Sequence, residues 1–165
     1  MSRLNPLVLP AAALALLVAT PASAKVQKGQ KAPGFSLPSL RGPNVALASL
    51  VGRVVVVDFW AQWCEPCKRE LPELDKLAKE LGGRATIVTV NIDKDRGNAQ
   101  KLATQLGLSL DVLLDPSGSI AATYDLPKMP SSYVIDKKGI VRFVHEGYEN
   151  GDIARFKREV SELAK

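Results

Sequence analysis

Apolar residues in this chain fall into two kinds of run. One kind is short, continuous and rich in β-branched residues. Val54-Val55-Val56-Val57-Asp58-Phe59 and the stretch from Thr86 to Ile92 are of this kind, and they predict strands buried on both faces. Leu110 to Leu114 is a weaker third. Ser132 to Ile135 and Ile140 to Val144 flank the turn Asp136-Lys137-Lys138-Gly139, which predicts an antiparallel hairpin. The other kind repeats every three or four residues. Leu71, Leu74, Leu77, Ala78 and Leu81 mark a helix over 64–81 that stops at Gly82-Gly83. Further helices are predicted over 98–106, ending at Gly107, and over 117–124, opening at Asp115-Pro116. The last, over 153–164, places Ile153, Phe156, Val160 and Leu163 on one face. The opening stretch from Phe35 to Leu47 turns at Arg41-Gly42-Pro43-Asn44 and reads as a hairpin. Alternating strands and helices predict one α/β domain, a mixed central sheet flanked by helices on both faces.

The first residues follow neither pattern. Arg3 gives a positive start, and Leu7 to Ala19 is apolar but shorter than the ~20 residues that span a bilayer. Ala22-Ser23-Ala24 then reads as a signal cleavage site. Cleavage after Ala24 would leave 141 of the 165 residues as a single exported domain, 25–165. An uncleaved anchor, with Pro10 inside the run, is the alternative. No cysteine follows the run, so there is no lipid attachment point. Lys and Arg total 22 against 17 Asp and Glu, with the signs interspersed, as at Arg155, Lys157, Arg158 and Glu159. That describes a mixed solvated surface rather than a nucleic-acid face.

The chain has two cysteines, in Trp63-Cys64-Glu65-Pro66-Cys67. A lone Cys-x-x-Cys pair in an exported chain does redox chemistry, binds metal, or locks one turn. Position favours the first. A strand ends near Trp60 and a helix begins at about Cys64, so this sulfur lies at a helix N-terminus, where free N–H groups and the dipole favour a thiolate. Lowering a thiol from ~8.5 to ~7 needs about 2 kcal/mol, and the helix end supplies about 0.3–1 kcal/mol when exposed. A hydrogen bond from the Cys67 thiol or backbone to the Cys64 sulfur is the expected supplement. Residues i and i+3 of a helix lie about 5–6 Å apart, within disulfide range. Cys64, the outer residue, is expected to attack, and Cys67, one turn in, to resolve the mixed disulfide.

Two acids stand near the pair. Asp58 interrupts an apolar strand six residues before Cys64. Burial should raise its pKa and make it an acceptor for the Cys67 proton, unless backbone N–H groups or a lysine satisfy it. Glu70, three residues past Cys67, shares its helical face and either reaches the rim of the site or is an ordinary surface glutamate. Glu65, between the cysteines, opposes thiolate formation, and Pro66 suits the first helical turn. Pro72 should kink the helix. Met129-Pro130 precedes a strand, where its peptide bond is either an ordinary trans turn or cis.

Val57 to Cys67, followed by Pro72, resembles the active-site segment of thioredoxins. Met129 to Asp136 looks like their cis-proline loop and following strand. Lys31-Ala32-Pro33-Gly34-Phe35-Ser36-Leu37 and the Glu65-Pro66 dipeptide are similar to the TlpA/ResA-like branch of exported thioredoxins. The resemblance covers about residues 29–163 and implies a thioredoxin-like fold with a helix–strand insert over 93–114. It implies Cys64 as nucleophile, Cys67 as resolving thiol, and Asp58 and Glu70 as the active-site acids. Pro130 would be cis, with Met129 offering backbone hydrogen bonds to the substrate beside Trp63. The branch further implies a periplasmic reductant of partner proteins in cytochrome c maturation or copper-site assembly. Such a protein is re-reduced by a membrane thiol transporter, acts as a monomer, and uses no cofactor, metal or nucleic acid.

Four other readings remain. An oxidant of exported proteins would use the same dithiol at a potential ~150 mV higher, against which Glu65-Pro66, with no histidine between the cysteines, argues. A peroxide reductase would share the opening segment, but such enzymes carry Pro and Thr ahead of the reactive cysteine, where Trp60, Ala61 and Trp63 stand. A metal-binding protein would need ligands beyond this pair, and His145, the single histidine, lies far along the chain, where a surface or satisfied imidazole is the simpler assignment. A structural disulfide closes too small a loop to stabilise much.

Overall fold

A computed structural model describes residues 25–165; the expected leader lies outside the described residues. Strands β1 (Ser36–Leu37) and β2 (Val45–Ala46) form the expected opening hairpin, and one 3-10 turn over Leu47–Leu50 follows it. The main sheet holds β3 (Val54–Trp60), β4 (Ala85–Asn91), β5 (Asp111–Leu114), β6 (Ser131–Ile135) and β7 (Val141–Glu146). Their spatial order is β5-β4-β3-β6-β7. The first three are parallel, and β6 is antiparallel to both of its neighbours, β3 and β7. Helices α1 (Glu65–Leu81), α2 (Arg96–Gln105), α3 (Ser119–Tyr124) and α4 (Asp152–Leu163) complete the domain. Element bounds move by one or two residues from those the periodicity predicts.

β3 is the centre of the sheet and buried along its whole length, as its unbroken apolar run requires. Its side chains alternate between two layers. Val55, Val57 and Phe59 pack with Tyr124, Tyr133 and the segment from Val26 to Leu37 on one face. Val54 and Val56 pack with Leu74 and Leu77 of α1 and Phe156 and Val160 of α4 on the other. Further along that second face, Trp60 packs with Cys64, Cys67, Leu71 and residues of α2. Asp58 falls between these two apolar clusters, on the face covered by α1 and α4. Pro72 lies inside α1 without ending it. Gly82 ends α1 in a left-handed conformation, which glycine adopts without a steric cost.

Candidate active site

Cys64 is the N-cap of α1 rather than its first residue, with extended backbone angles. Its sulfur accepts a hydrogen bond from the Cys67 backbone N–H at 3.3 Å. A serine or aspartate cap bonds the N3 amide in the same way. This is the supplement to the helix dipole that the thiolate requires. Pro66, in the first turn, has no N–H to leave unpaired. Cys64 and Cys67 are joined by a disulfide with Cα atoms 5.3 Å apart. Cys67 is wholly buried, and Cys64 retains 4% exposure. The order of access expected from the helix holds, but Cys64 is far less open than an outer position suggested.

The loop before Cys64 is held by residues that periodicity did not mark. Asp93 Oδ2 accepts from the Gln62 backbone N–H at 2.8 Å and from the Asn91 side-chain amide at 2.7 Å. The Asp93 N–H donates to Asn91 Oδ1. Asn91 and Asp93 are both buried. A polar Asn-x-Asp at the end of a buried strand was the available signal, since buried polar side chains need partners.

Trp63 projects outward with 64% exposure. Glu65 is exposed and paired with Lys68 at 2.9 Å, so its charge next to Cys64 is partly offset. The Met129–Pro130 peptide bond is cis. Met129 packs against the cluster that contains both cysteines. The Pro130 carbonyl accepts from the Gly147 N–H at 2.7 Å, which ties the loop before α4 to the proline loop.

The two acids lie in the layer between the sheet and α1, Asp58 on β3 and Glu70 on α1 three residues past Cys67. Asp58 is completely buried, and Ser132, its cross-strand neighbour on β6, donates to Oδ1 at 2.8 Å. Oδ2 has no partner among the described residues. Among the described residues, no lysine or backbone amide bonds this carboxyl. Glu70 corrects the expectation more sharply. It neither reaches the rim nor lies on the surface; it is fully buried with both oxygens unpartnered. Its position three residues past Cys67 turns it inward, onto the same face as Leu74 and Leu77. Burial pushes Asp58 up to about 7, against the lowering effect of Ser132. Burial, then the charges of Asp58 and Asp152, push Glu70 up to about 10; the Ser132 hydroxyl pulls it down, but less. Near neutral pH the pair therefore holds at least one proton in the layer between β3 and α1.

His145 is buried and satisfied, as the simpler assignment anticipated. It contacts Glu159 and Arg155, not the cysteines. Among the described residues, no helix is long and apolar enough to cross a membrane.

A thioredoxin-like sheet carrying a capped Cys-x-x-Cys pair over buried acids defines a thiol–disulfide exchange protein. Comparison with known proteins agrees. Residues 28–144 match the AhpC/TSA family. The chain is 36% identical over 125 residues to the thioredoxin-like protein YneN of Bacillus subtilis, covering 74% of this chain and 73% of that one. It is 34% identical over 120 residues to the thiol-disulfide oxidoreductase ResA of Bacillus anthracis, covering 71% and 68%. A solved Chlorobium tepidum structure, assigned as the thiol:disulfide interchange protein DsbE, superposes with a TM-score of 0.81 at 32% identity, covering 86% of this chain and 100% of that one. The chain belongs to the AhpC/TSA family and, with its Cys-x-x-Cys pair, is a thiol-disulfide oxidoreductase of the ResA/DsbE type.

Proposed function

We propose that this protein works outside the cytoplasm as a reductant of disulfides in partner proteins. The observation that carries the reading is the buried, donor-poor pair Asp58 and Glu70, one on the strand that leads to Cys64 and the other on the helix that carries Cys67. In the reduced protein, the Cys64 thiolate attacks a partner disulfide; one partner sulfur leaves as a thiolate and takes up a proton. Cys67 must then lose its own proton to attack Cys64, which breaks the mixed disulfide, and the second partner sulfur leaves as a thiolate and takes up a proton. Asp58, poised at about 7, is matched to accept that proton at ambient pH. Glu70 stays protonated, so no second negative charge opposes the step. The products are the Cys64–Cys67 disulfide and a partner carrying two thiols. Exposed Trp63 and the Met129–Pro130 loop flank the sulfur that the partner meets.

The leader expected over 1–24 supports export to the periplasm as a soluble domain. The ResA-like sequence features favour partners in cytochrome c maturation or copper-site assembly, a membrane thiol transporter as electron donor, and a monomeric state. The same dithiol could run as an oxidant, so its potential tests the direction. Equilibration with a thiol buffer should place it nearer the thioredoxin value of about −270 mV than the DsbA value of about −120 mV. A value at the DsbA end overturns the reductant reading. Replacing Cys67 with Ala should trap partners on Cys64 as mixed disulfides, which mass spectrometry can identify. N-terminal sequencing of the secreted protein should begin at Lys25.

A further inference from the structure

A second cluster of charged side chains borders the buried acids, and the exchange chemistry makes no use of it. His145 on β7 is in register with Ser132 on β6, which is in register with Asp58 on β3. Cross-strand partners share a sheet face, so Asp58, Ser132 and His145 form one polar row beneath α1 and α4. The His145 ring stacks on Phe156 of α4, with centroids 4.0 Å apart. Its Nε2 lies 2.7 Å from a Glu159 carboxylate oxygen, and its Nδ1 lies 2.8 Å from Arg155 Nη2.

These contacts determine the tautomer. Arginine can only donate, so Nδ1 must accept. The ring is then neutral, with its proton on Nε2 donated to Glu159. Burial also lowers the His145 pKa. Arg155 extends the cluster in the other direction, pairing with Asp152 at 3.1 Å. Asp152 lies in the first turn of α4, close enough for its charge to act on Glu70. Arg155 therefore stands between a histidine that holds it in place and an aspartate whose charge bears on Glu70.

We propose that Arg155, oriented by the neutral His145 ring, is a positioning residue that offsets the Asp152 charge and so sets the pH range over which the Glu70–Asp58 pair releases its proton. Other charged groups face the two ends of this cluster. Tyr148, before α4, lies near Glu70 and Asp152 and also near Arg69 and Glu73 of α1. Glu146 and Arg142 on β7, with Lys25 and Lys28, line the cleft beside His145. Glu146 is already paired with Lys25, and Arg142 with Asp136. Among these, Arg155 alone contacts both His145 and Asp152.

The consequence for catalysis rests on the dithiol reading, but the tuning can be measured without it. Carboxyl 13C shifts of Glu70 and Asp58, followed against pH in the reduced protein, report the pair directly. Replacing Arg155 with Gln should move their titration upward by about half a unit, the size expected from one partly solvated charge nearby. Because Arg155 is half exposed, this variant should fold. His145→Leu, which removes the Nδ1 acceptor, should give a similar upward shift. His145→Gln, which keeps an acceptor for Arg155 and a donor for Glu159, should restore the wild-type titration. The pH profile of Cys64 alkylation should be altered in the two shifted variants and unaltered in the restored one. Carboxyl titrations that ignore Arg155→Gln overturn the proposal. So does a His145→Gln variant as shifted as His145→Leu. A wild-type protein that titrates as described but exchanges no disulfides overturns the functional reading and leaves the tuning standing.

Discussion

Two sets of buried acids in this domain behave in opposite ways. Asp75 on α1 is surrounded by donors. Its Oδ1 accepts from the Ser109 N–H at 2.6 Å, the Ser109 hydroxyl at 2.9 Å and the Leu110 N–H at 2.9 Å. Its Oδ2 accepts from Lys79 at 2.6 Å. Burial raises its pKa, but Lys79, Ser109 and Leu110 together outweigh that and hold it below the ordinary carboxylate value. A single serine serves Asp58, Glu70 has no hydrogen-bond partner, and three of the pair's four oxygens are unpaired among the described residues. Asp75 is a fastener, joining α1 to the start of β5. The other two are costly to ionise, and Glu70 lies on the same helix as Cys67, three residues on. Burial alone therefore does not raise a carboxyl's pKa; burial without donors does.

The contrast gives opposite pH dependences. Asp58 and Glu70 bind protons more tightly folded than unfolded, so the stability they contribute is present at low pH and is lost as pH rises toward about 7 and about 10, respectively. Asp75 binds its proton more weakly when folded, so its contribution is present above the unfolded value and lost on acidification.

The largest test is Glu70→Gln. Wild-type stability, from urea unfolding, should fall by on the order of 4 kcal/mol between about pH 4.5 and 7.5 through this group, and the variant should lack that slope. An unchanged slope would mean that Glu70 ionises freely in the fold. Next is Asp75→Ala, which strands several donors and should cost about 3 kcal/mol at neutral pH, measured the same way. If it costs no more than a surface substitution, the fastener reading fails. Asp93→Ala should cost about 2 kcal/mol. It should also slow disulfide exchange, because the loop holding Gln62 beside Cys64 loses its anchor. The smallest effect belongs to Ser132→Ala, which should raise the Asp58 titration by about half a unit, seen in its carboxyl shift.

Much of the fold was legible along the chain because its signals are local. The unbroken valine run of β3 and the leucine spacing of α1 each answer to one periodicity. The cysteine pair was equally plain, since a strand end followed by Pro66 and a helical repeat places Cys64 at the helix start. Glu70 was harder. Its spacing aligned it with Cys67, but helical spacing does not say which layer covers that face, and α4 supplies the cover from the far end of the chain. His145 was read as surface or satisfied for the same reason. Its partners lie ten and fourteen residues away, on a helix whose docking angle no local pattern describes.

The sequence by itself determined the elements, the dithiol and which of its two sulfurs lies deeper, because each depends on neighbours within a turn or a strand. The tertiary structure decided which carboxyls lose their water and which find donors. Those outcomes depend on strands β3, β6 and β7 coming into register and on α4 closing over α1. A pKa is set by everything within a few ångströms, and at this site most of that comes from residues distant in the chain.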